Sequence, residues 1–105
     1  MKSEAEILSR IKQTVLEREP SAKIYLYGSR ARGDAKPDSD WDLLILLNRE
    51  TITDELENKI ADPLYDLEFD SGEVISPQIF SEKEWHSKHL YSPLYMNIKK
   101  EGRRL

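Results

Sequence analysis

The chain has 105 residues, of which 34% are charged and 38% apolar, values typical of one ordinary globular domain. Its formal net charge of −4 and its isoelectric point of about 5.2 argue against a protein that binds long nucleic acid by covering the phosphates with positive charge. Cysteine is absent, which excludes disulfides and thiolate zinc sites and fits a reducing cytoplasm. No apolar run approaches the length of a membrane span. We therefore expect a single domain over residues 1–105, with no membrane anchor and a cytoplasmic location.

The N-terminal half predicts a helix and two strands around a polar loop. Residues 3–18 carry apolar side chains at helical spacing. Residues 23–27 are β-branched or aromatic and end at Gly28, which favours a strand that runs into a tight turn. Residues 29–39 are small, charged or turn-forming and predict a short helical turn followed by a loop. Residues 41–47 form the most apolar run of the chain and predict a buried second strand.

Residues 52–71 fit two patterns. Apolar residues at helical spacing favour a helix, whereas aromatic residues and leucine alternate with acidic residues over 65–70, as they would in a strand. Because the segment is longer than an ordinary strand, we favour a helix that runs to Ser71 and is closed by Gly72. The alternative is a hairpin with Ser71-Gly72 as its turn.

The C-terminal third predicts one more strand and two short helices. Residues 74–80 read as the third strand, and Pro77 within it is typical of an edge or an irregularity. Residues 81–84 have capping-box spacing, and Ser92, followed by proline, predicts a second helix start. Helices and strands in this order predict an α/β layer structure with a single core.

Two aspartates mark the start of the second strand. Asp40 and Asp42 are two residues apart, so a strand places both carboxylates on one face, about 6.5 to 7 Å apart along the chain. Two like charges in this arrangement call for a cation, and oxygen-only ligands suit Mg²⁺ or Mn²⁺. An isolated Asp-x-Asp also fits a polar strand entrance at the rim of a sheet.

A glycine-serine turn precedes these aspartates. Gly28 supplies a turn without a Cβ, and Ser29 supplies a hydroxyl and a backbone N–H where a phosphate can bind. Taken alone, Gly-Ser commonly marks the end of a strand. The combination is more specific, because strand, Gly-Ser, a second glycine, polar loop, Ser-Asp-x-Asp and apolar strand follow one another in that order.

Over residues 24–47, the segments G-S-R-A-R-G and S-D-W-D-L-L resemble the signature of the minimal nucleotidyltransferases of the DNA polymerase beta superfamily. The resemblance implies an α/β (α+β) nucleotidyltransferase fold, with a small mixed sheet of about three strands flanked by helices. It implies that Gly28 and Ser29 contact a triphosphate and that Asp40 and Asp42 bind divalent metal. A third acidic residue on a later strand completes the cluster in this family.

The third acid has several candidates. Glu73 stands at the start of the predicted third strand, where the family usually has an aspartate, and is our first choice as metal ligand and catalytic residue. In the hairpin alternative, Asp66, Glu68 or Asp70 supplies the carboxylate from one strand face. All four also fit solvated surface acids, because charged residues are mostly exposed.

Further nucleotide-binding residues are expected in the loop. Arg30 and Arg32 lie beside the expected phosphates, where a planar guanidinium can bind two phosphate oxygens at once. Arg30 ranks above Arg32 because it follows Ser29 directly. Ser39, the first residue of the S-D-W-D segment, completes the expected nucleotide-binding set.

The function implied by the resemblance is metal-dependent transfer of a nucleoside monophosphate, AMP from ATP, to a hydroxyl of a macromolecular acceptor. Small family members often act beside a HEPN-type partner as toxin and antitoxin, which implies a protein acceptor. The alternative is a nucleotide-binding or partner-binding module that keeps the fold but is catalytically impaired. A phosphate-loop NTPase is disfavoured because no Gly-Lys-Ser or Gly-Lys-Thr follows Gly33.

Overall fold

The computed structural model describes residues 3–105. Helices and strands alternate along the described chain as far as α4, which α5 follows directly, and a mixed sheet lies between two helical layers. The helices are α1 (Glu4–Arg18), α2 (Ser29–Arg32), α3 (Asp54–Ser71), α4 (Glu82–Trp85) and α5 (Pro93–Glu101). The strands are β1 (Lys23–Tyr27), β2 (Trp41–Leu47), β3 (Ile75–Ser81) and β4 (Arg103–Arg104).

The sheet has the strand order β3-β2-β1-β4. Strand β1 is antiparallel to both β2 and β4, whereas β2 and β3 are parallel. The predicted mixed α/β (α+β) sheet flanked by helices is confirmed, but it contains a fourth strand. The basic C-terminal segment pairs with β1, with Leu26 opposite Arg103, and the Leu105 N–H donates to the Ile24 carbonyl at 2.9 Å. Two residues of pairing leave too short a pattern for sequence reading to identify.

Strand β2 is covered on both faces, which explains its continuous apolar run. Trp41, Leu43, Ile45 and Leu47 belong to the core that the sheet forms with α1 and α3. The alternating residues Leu44 and Leu46 belong to a second, smaller core beneath α4 and α5. Residues one apart on β2 therefore face different environments, as strand alternation requires.

The 52–71 segment is helical, so the favoured interpretation is confirmed and the hairpin is not formed. The Thr53 hydroxyl caps α3 by accepting the Leu56 N–H at 3.1 Å. Gly72 closes the helix in the left-handed conformation, with φ 76°, and its N–H donates to the Glu68 carbonyl. The helix packs Ile60, Ala61, Leu64 and Leu67 into the core.

Both predicted C-terminal helix starts are also present. The Ser81 hydroxyl accepts the Glu84 N–H at 3.4 Å at the start of α4. The Ser92 hydroxyl accepts the Tyr95 N–H at 3.1 Å, and proline occupies the first turn of α5. Over residues 3–105, no helix combines the length and apolar character needed to cross a membrane.

Candidate active site

Gly28 and Asp42 lie close together at one end of the two central strands, where β1 ends and β2 begins. Tyr27, the last residue of β1, pairs with Asp42 across the antiparallel ladder, and Gly28 follows with φ 74°. A Cβ built on Gly28 would overlap the Oδ2 atom of Asp42. Glycine is therefore required here both for its backbone conformation and for the space that the carboxylate occupies. The two halves of the sequence signature meet at this contact.

Asp42 lies half-buried in an environment that disfavours its charge. Burial raises the pKa of the Asp42 carboxyl, and the nearby negative charges of Asp40 and Glu101 raise it further, whereas the positive charge of Arg32 opposes them. The pKa of Tyr27 is raised as well, first by burial and then by the charge of Asp42. A cation at this position would relieve both the desolvation and the repulsion.

Asp40 and Ser29 flank Asp42 from two sides. Asp40 is exposed and precedes β2, while Ser29 is half-buried and opens the short helix α2 directly after Gly28. The Ala31 and Arg32 N–H groups both donate to the Gly28 carbonyl, at 3.0 and 3.1 Å, so the turn at Gly28 is fixed by backbone hydrogen bonds. The expected phosphate turn, directly after β1, and the expected metal pair, at the start of β2, thus lie at the same end of the sheet.

Arg32 is the arginine that lies close to Asp42. Its Nη1 is 3.0 Å from Glu101 Oε2 on α5, and its Nε is 3.3 Å from Asp34 Oδ2. These two bonds raise the pKa of Arg32, and its charge in turn acts on Asp42. Glu101 is absent from the sequence-based candidates, because it is 69 residues from Arg32 along the chain and no motif marks it.

The Arg30 side chain does not approach Asp42 but binds the loop that follows α2. Its Nη2 and Nε donate to the Ser39 carbonyl at 3.0 and 3.3 Å, and Nη2 also donates to the Pro37 carbonyl at 3.2 Å. Its guanidinium carbon lies 4.3 Å from the centroid of the Trp41 ring. With its side chain only 12% exposed, Arg30 is committed to the protein itself. Of the two arginines expected to bind phosphate, Arg32 is therefore the one whose charge acts on Asp42.

Glu73 belongs to the same network as Arg30. The Trp41 indole N–H donates to Glu73 Oε2 at 3.0 Å, and Arg30 Nη2 lies 3.7 Å from that oxygen. Trp41 faces the α1 and α3 core, on the opposite face of β2 from Asp42. The Glu73 carboxylate that it binds therefore lies on the face away from Asp42. The structure therefore does not bring Glu73 to the two aspartates, contrary to the expectation for the third acid.

No other acid replaces it within residues 3–105. Ser76 of β3 pairs with Asp42 across the parallel ladder, so the strand position beside Asp42 carries a hydroxyl. Asp66, Glu68 and Asp70 remain on α3, which packs on the opposite face of the sheet. In that described part of the chain, no three or more Asp, Glu or His side chains are grouped so that they could hold a metal ion.

Ser39 helps to shape the loop. Its hydroxyl accepts the Lys36 N–H at 2.8 Å, and its carbonyl accepts the Arg30 guanidinium. The serine that precedes the aspartates therefore acts on the loop backbone in this structure. Together with Arg30 it fixes where the segment before β2 lies.

The nucleotidyltransferase domain family model matches residues 8–104. The chain therefore belongs to the nucleotidyltransferase domain family. The match runs from within α1 to the end of β4 and includes the expected phosphate turn and metal pair.

Two solved toxin–antitoxin structures resemble the chain. One, a toxin–antitoxin crystal structure with AMP-PNP, matches with a TM-score of 0.66 and 18% identity over 91% of this chain and 69% of that chain. The other, a mutant of the toxin–antitoxin MntA-HpeT, matches with a TM-score of 0.56 and 18% identity over 100% of this chain and 72% of that chain. A search of curated proteins gave no match. At this identity the likeness shows a shared fold.

Proposed function

We propose that this protein transfers AMP from ATP to a hydroxyl on a macromolecule, a protein partner, with Mg²⁺ or Mn²⁺ at Asp40 and Asp42. The observation that carries the proposal is the close approach of Gly28 to Asp42, because the first belongs to the turn that we propose to bind phosphate and the second is a proposed metal ligand. Membership of the nucleotidyltransferase family supports the reaction class.

The residues present fit a divalent ion. Asp40 raises the pKa of Asp42, so the two carboxylates are close enough to repel each other. Magnesium takes one or two protein carboxylates together with the phosphates of its substrate, so a third protein ligand is not required for binding a metal nucleotide. Bound there, the ion would neutralise charge on the phosphates and on the reacting oxygens.

The chain's own residues supply binding and orientation. Gly28 lets the backbone approach the triphosphate, Ser29 offers a hydroxyl and an N–H, and Arg32 offers a guanidinium from the same edge. The acceptor oxygen would form a bond to the α-phosphorus while the bond from that phosphorus to the bridging oxygen breaks. Pyrophosphate then leaves and the hydroxyl proton passes to water. Catalysis of this kind is mainly positioning and electrostatics.

Two related structures support the proposed donor and the proposed kind of partner. One is a toxin–antitoxin crystal structure with AMP-PNP, an ATP analogue, and the other is also a toxin–antitoxin. These likenesses support ATP as donor and a toxin as partner. The HEPN type of that toxin and its role as acceptor are proposed from the family resemblance of the sequence. ATP as donor also fits the cytoplasmic location expected from the sequence.

The test uses ATP labelled at its α-phosphorus. The protein is incubated with Mg²⁺ and candidate acceptors, including the product of the neighbouring gene, and label transfer is compared with the Asp42→Ala variant. We expect transfer by the wild type and a loss of at least about a hundredfold in the variant, the scale on which misplaced catalytic groups act. Label on no acceptor, with ATP still bound, would reject transfer.

A second candidate function is a nucleotide-binding module without turnover. It is favoured by one observation, the engagement of Glu73 by Trp41 and Arg30, which leaves Ser76 beside Asp42. The two functions differ in a Ser76→Asp variant. If a missing third carboxylate limits turnover, this variant gains transfer activity, whereas an active two-carboxylate enzyme gains little.

A further inference from the structure

A cavity lies on the Asp42 face of the sheet, beneath α4 and α5. Its volume is about 240 Å³. Its floor is formed by side chains of β1 and β2, its walls by aromatic and aliphatic residues of the two helices, and its rim by two polar residues and a glycine. The floor consists of Tyr25, Leu44 and Leu46. The walls consist of Trp85, Tyr95 and Ile98, and the rim consists of His86, Lys99 and Gly102.

The cavity begins next to the candidate active site. Leu44 is two residues beyond Asp42 on β2, so it faces the same side of the sheet, about 7 Å further along the strand. The paired residues of β1 repeat this relation, with Tyr27 opposite Asp42 and Tyr25 opposite Leu44. A nucleotide with its phosphates at the Gly28 turn therefore has this cavity within the reach of its ribose and base.

The walls suit a flat aromatic ring with a polar edge. The rings of Trp85 and Tyr95 have their centroids 5.2 Å apart. At the rim, the Tyr95 hydroxyl and His86 Nδ1 are 3.5 Å apart, and Lys99 is exposed. Pockets for drug-sized ligands begin at about 300 Å³, so this smaller cavity fits one ring system with part of a sugar.

We propose that the cavity beneath α4 and α5 is the subsite for the nucleobase of the nucleoside triphosphate. The proposal rests on the proposed function, because the phosphates at Gly28 and Ser29 set where the base can lie. The base stacks on the aromatic wall, and the rim groups of His86 and Lys99 meet its polar edge.

A second cavity at the same end of the sheet is a poorer choice. Its volume is about 340 Å³, and it is lined by Arg30, Trp41 and Glu73 together with residues of α1 and the loop. These three side chains already satisfy one another, and Trp41 faces away from Asp42. A base placed there would lie on the opposite side of the sheet from the metal carboxylates.

Photolabelling of the wild-type protein tests the proposal. The probe is 8-azidoadenosine triphosphate with Mg²⁺, and labelled residues are identified by peptide mass spectrometry with and without excess ATP. We expect ATP-protected label on Tyr95, His86 or Lys99. ATP-protected label confined to the Trp41 and Arg30 cavity, or to any other surface, would overturn the base subsite and leave nucleotide binding intact. An absence of ATP-protected label would overturn nucleotide binding itself.

A matched pair of variants separates base recognition from phosphate recognition. Tyr95→Ala removes part of the aromatic wall, whereas Tyr65→Ala removes an exposed tyrosine of α3 on the other side of the sheet. Stacking on one aromatic ring predicts that Tyr95→Ala weakens ATP binding about tenfold. Its affinity for tripolyphosphate should not change, and Tyr65→Ala should bind both as the wild type does. Equal losses for ATP and tripolyphosphate in Tyr95→Ala would contradict the proposal.

Discussion

At the start of β2, the two faces of the sheet differ in whether their charged groups have partners within the protein. On one face, Arg30 and Glu73 are joined to Trp41 and to loop carbonyls by hydrogen bonds and a cation–π contact. On the other, Asp42 is half-buried beside Asp40 and Glu101, and its pKa is raised. The charged groups of the first face are paired within the protein, whereas the environment of Asp42 disfavours its charge, and we propose that a metal-bound nucleotide relieves this.

This difference separates residues that stabilise the structure around the site from residues proposed to bind the ligand. Groups with internal partners cost stability when they are removed, because their partners are left buried and unpaired. Groups held in an unfavourable electrostatic environment cost function when they are removed, and their loss can even stabilise the fold. Each face therefore predicts its own mutational signature.

The largest expected effect is on the ligand face. Gly28→Ala places a Cβ against Asp42 Oδ2 in a backbone with φ 74°, so we expect transfer activity to fall by at least about a hundredfold through displaced reacting groups. The control is Gly72→Ala, which has the same backbone strain at φ 76° but no atom within 4 Å of the new Cβ. Both variants should lose about 1 kcal/mol or more of stability, and only Gly28→Ala should lose activity. Equal activity losses in labelled-ATP assays would break the link between Gly28 and Asp42.

The satisfied face should respond in stability. Arg30→Ala removes the bonds to Ser39 and Pro37 and the contact with Trp41, and we expect it to cost about 2 kcal/mol in urea unfolding. Arg32→Ala removes ion pairs in which the Arg32 side chain is 48% exposed and screened by solvent, so it should cost less stability than Arg30→Ala. If Arg32→Ala proved the more destabilising of the two, the division between the faces would be wrong.

For ATP affinity we expect the opposite order, with Arg32 contributing more than Arg30. Arg32→Ala removes the guanidinium near Asp42, and loss of one charge-assisted phosphate contact predicts about a tenfold weaker ATP binding in calorimetry. The control is Arg49→Ala, whose ion pair with Glu19 lies at 2.8 Å and outside the candidate active site. Unchanged affinity in Arg32→Ala would remove Arg32 from the nucleotide-binding set.

The smallest effect concerns Asp42 in the metal-free protein. Because the pKa of Asp42 in the folded protein is raised above its ordinary value of 3.8, ionisation of this group favours the unfolded chain at neutral pH. Asp42→Asn should therefore raise the thermal midpoint at pH 7 when a chelator is present. The gain should shrink as the pH falls through the raised pKa and disappear below 3.8, where the wild-type carboxyl is protonated in both states.

Asp62→Asn removes a carboxylate from the exposed surface of α3 and serves as the control. With Mg²⁺ and ATP the order should reverse, because the wild type then gains stability from binding and Asp42→Asn does not. A destabilised Asp42→Asn protein at pH 7 without metal would show that the carboxylate is satisfied internally after all.

Much of the fold follows from local sequence patterns. The caps at Ser81 and Ser92 and the left-handed glycine that ends α3 depend on contacts over three or four residues, so they can be predicted from the sequence. The apolar run of β2 predicts burial on both faces for the same reason. The order of Gly28, Ser29, Asp40 and Asp42 predicts the candidate site because the turn and the strand entrance are themselves local features.

What the sequence by itself determined was the helices, the three longer strands, and the residue types expected at the phosphate turn and the metal pair. The tertiary structure decided which partner each charged side chain finds. It paired Glu73 with Trp41 and Arg30, brought Glu101 to Arg32 across 69 residues, added β4 to the sheet and placed Ser76 beside Asp42. The physical reason is that caps and turns are fixed by near neighbours, whereas ion pairs and strand partners depend on which distant segments the fold places side by side.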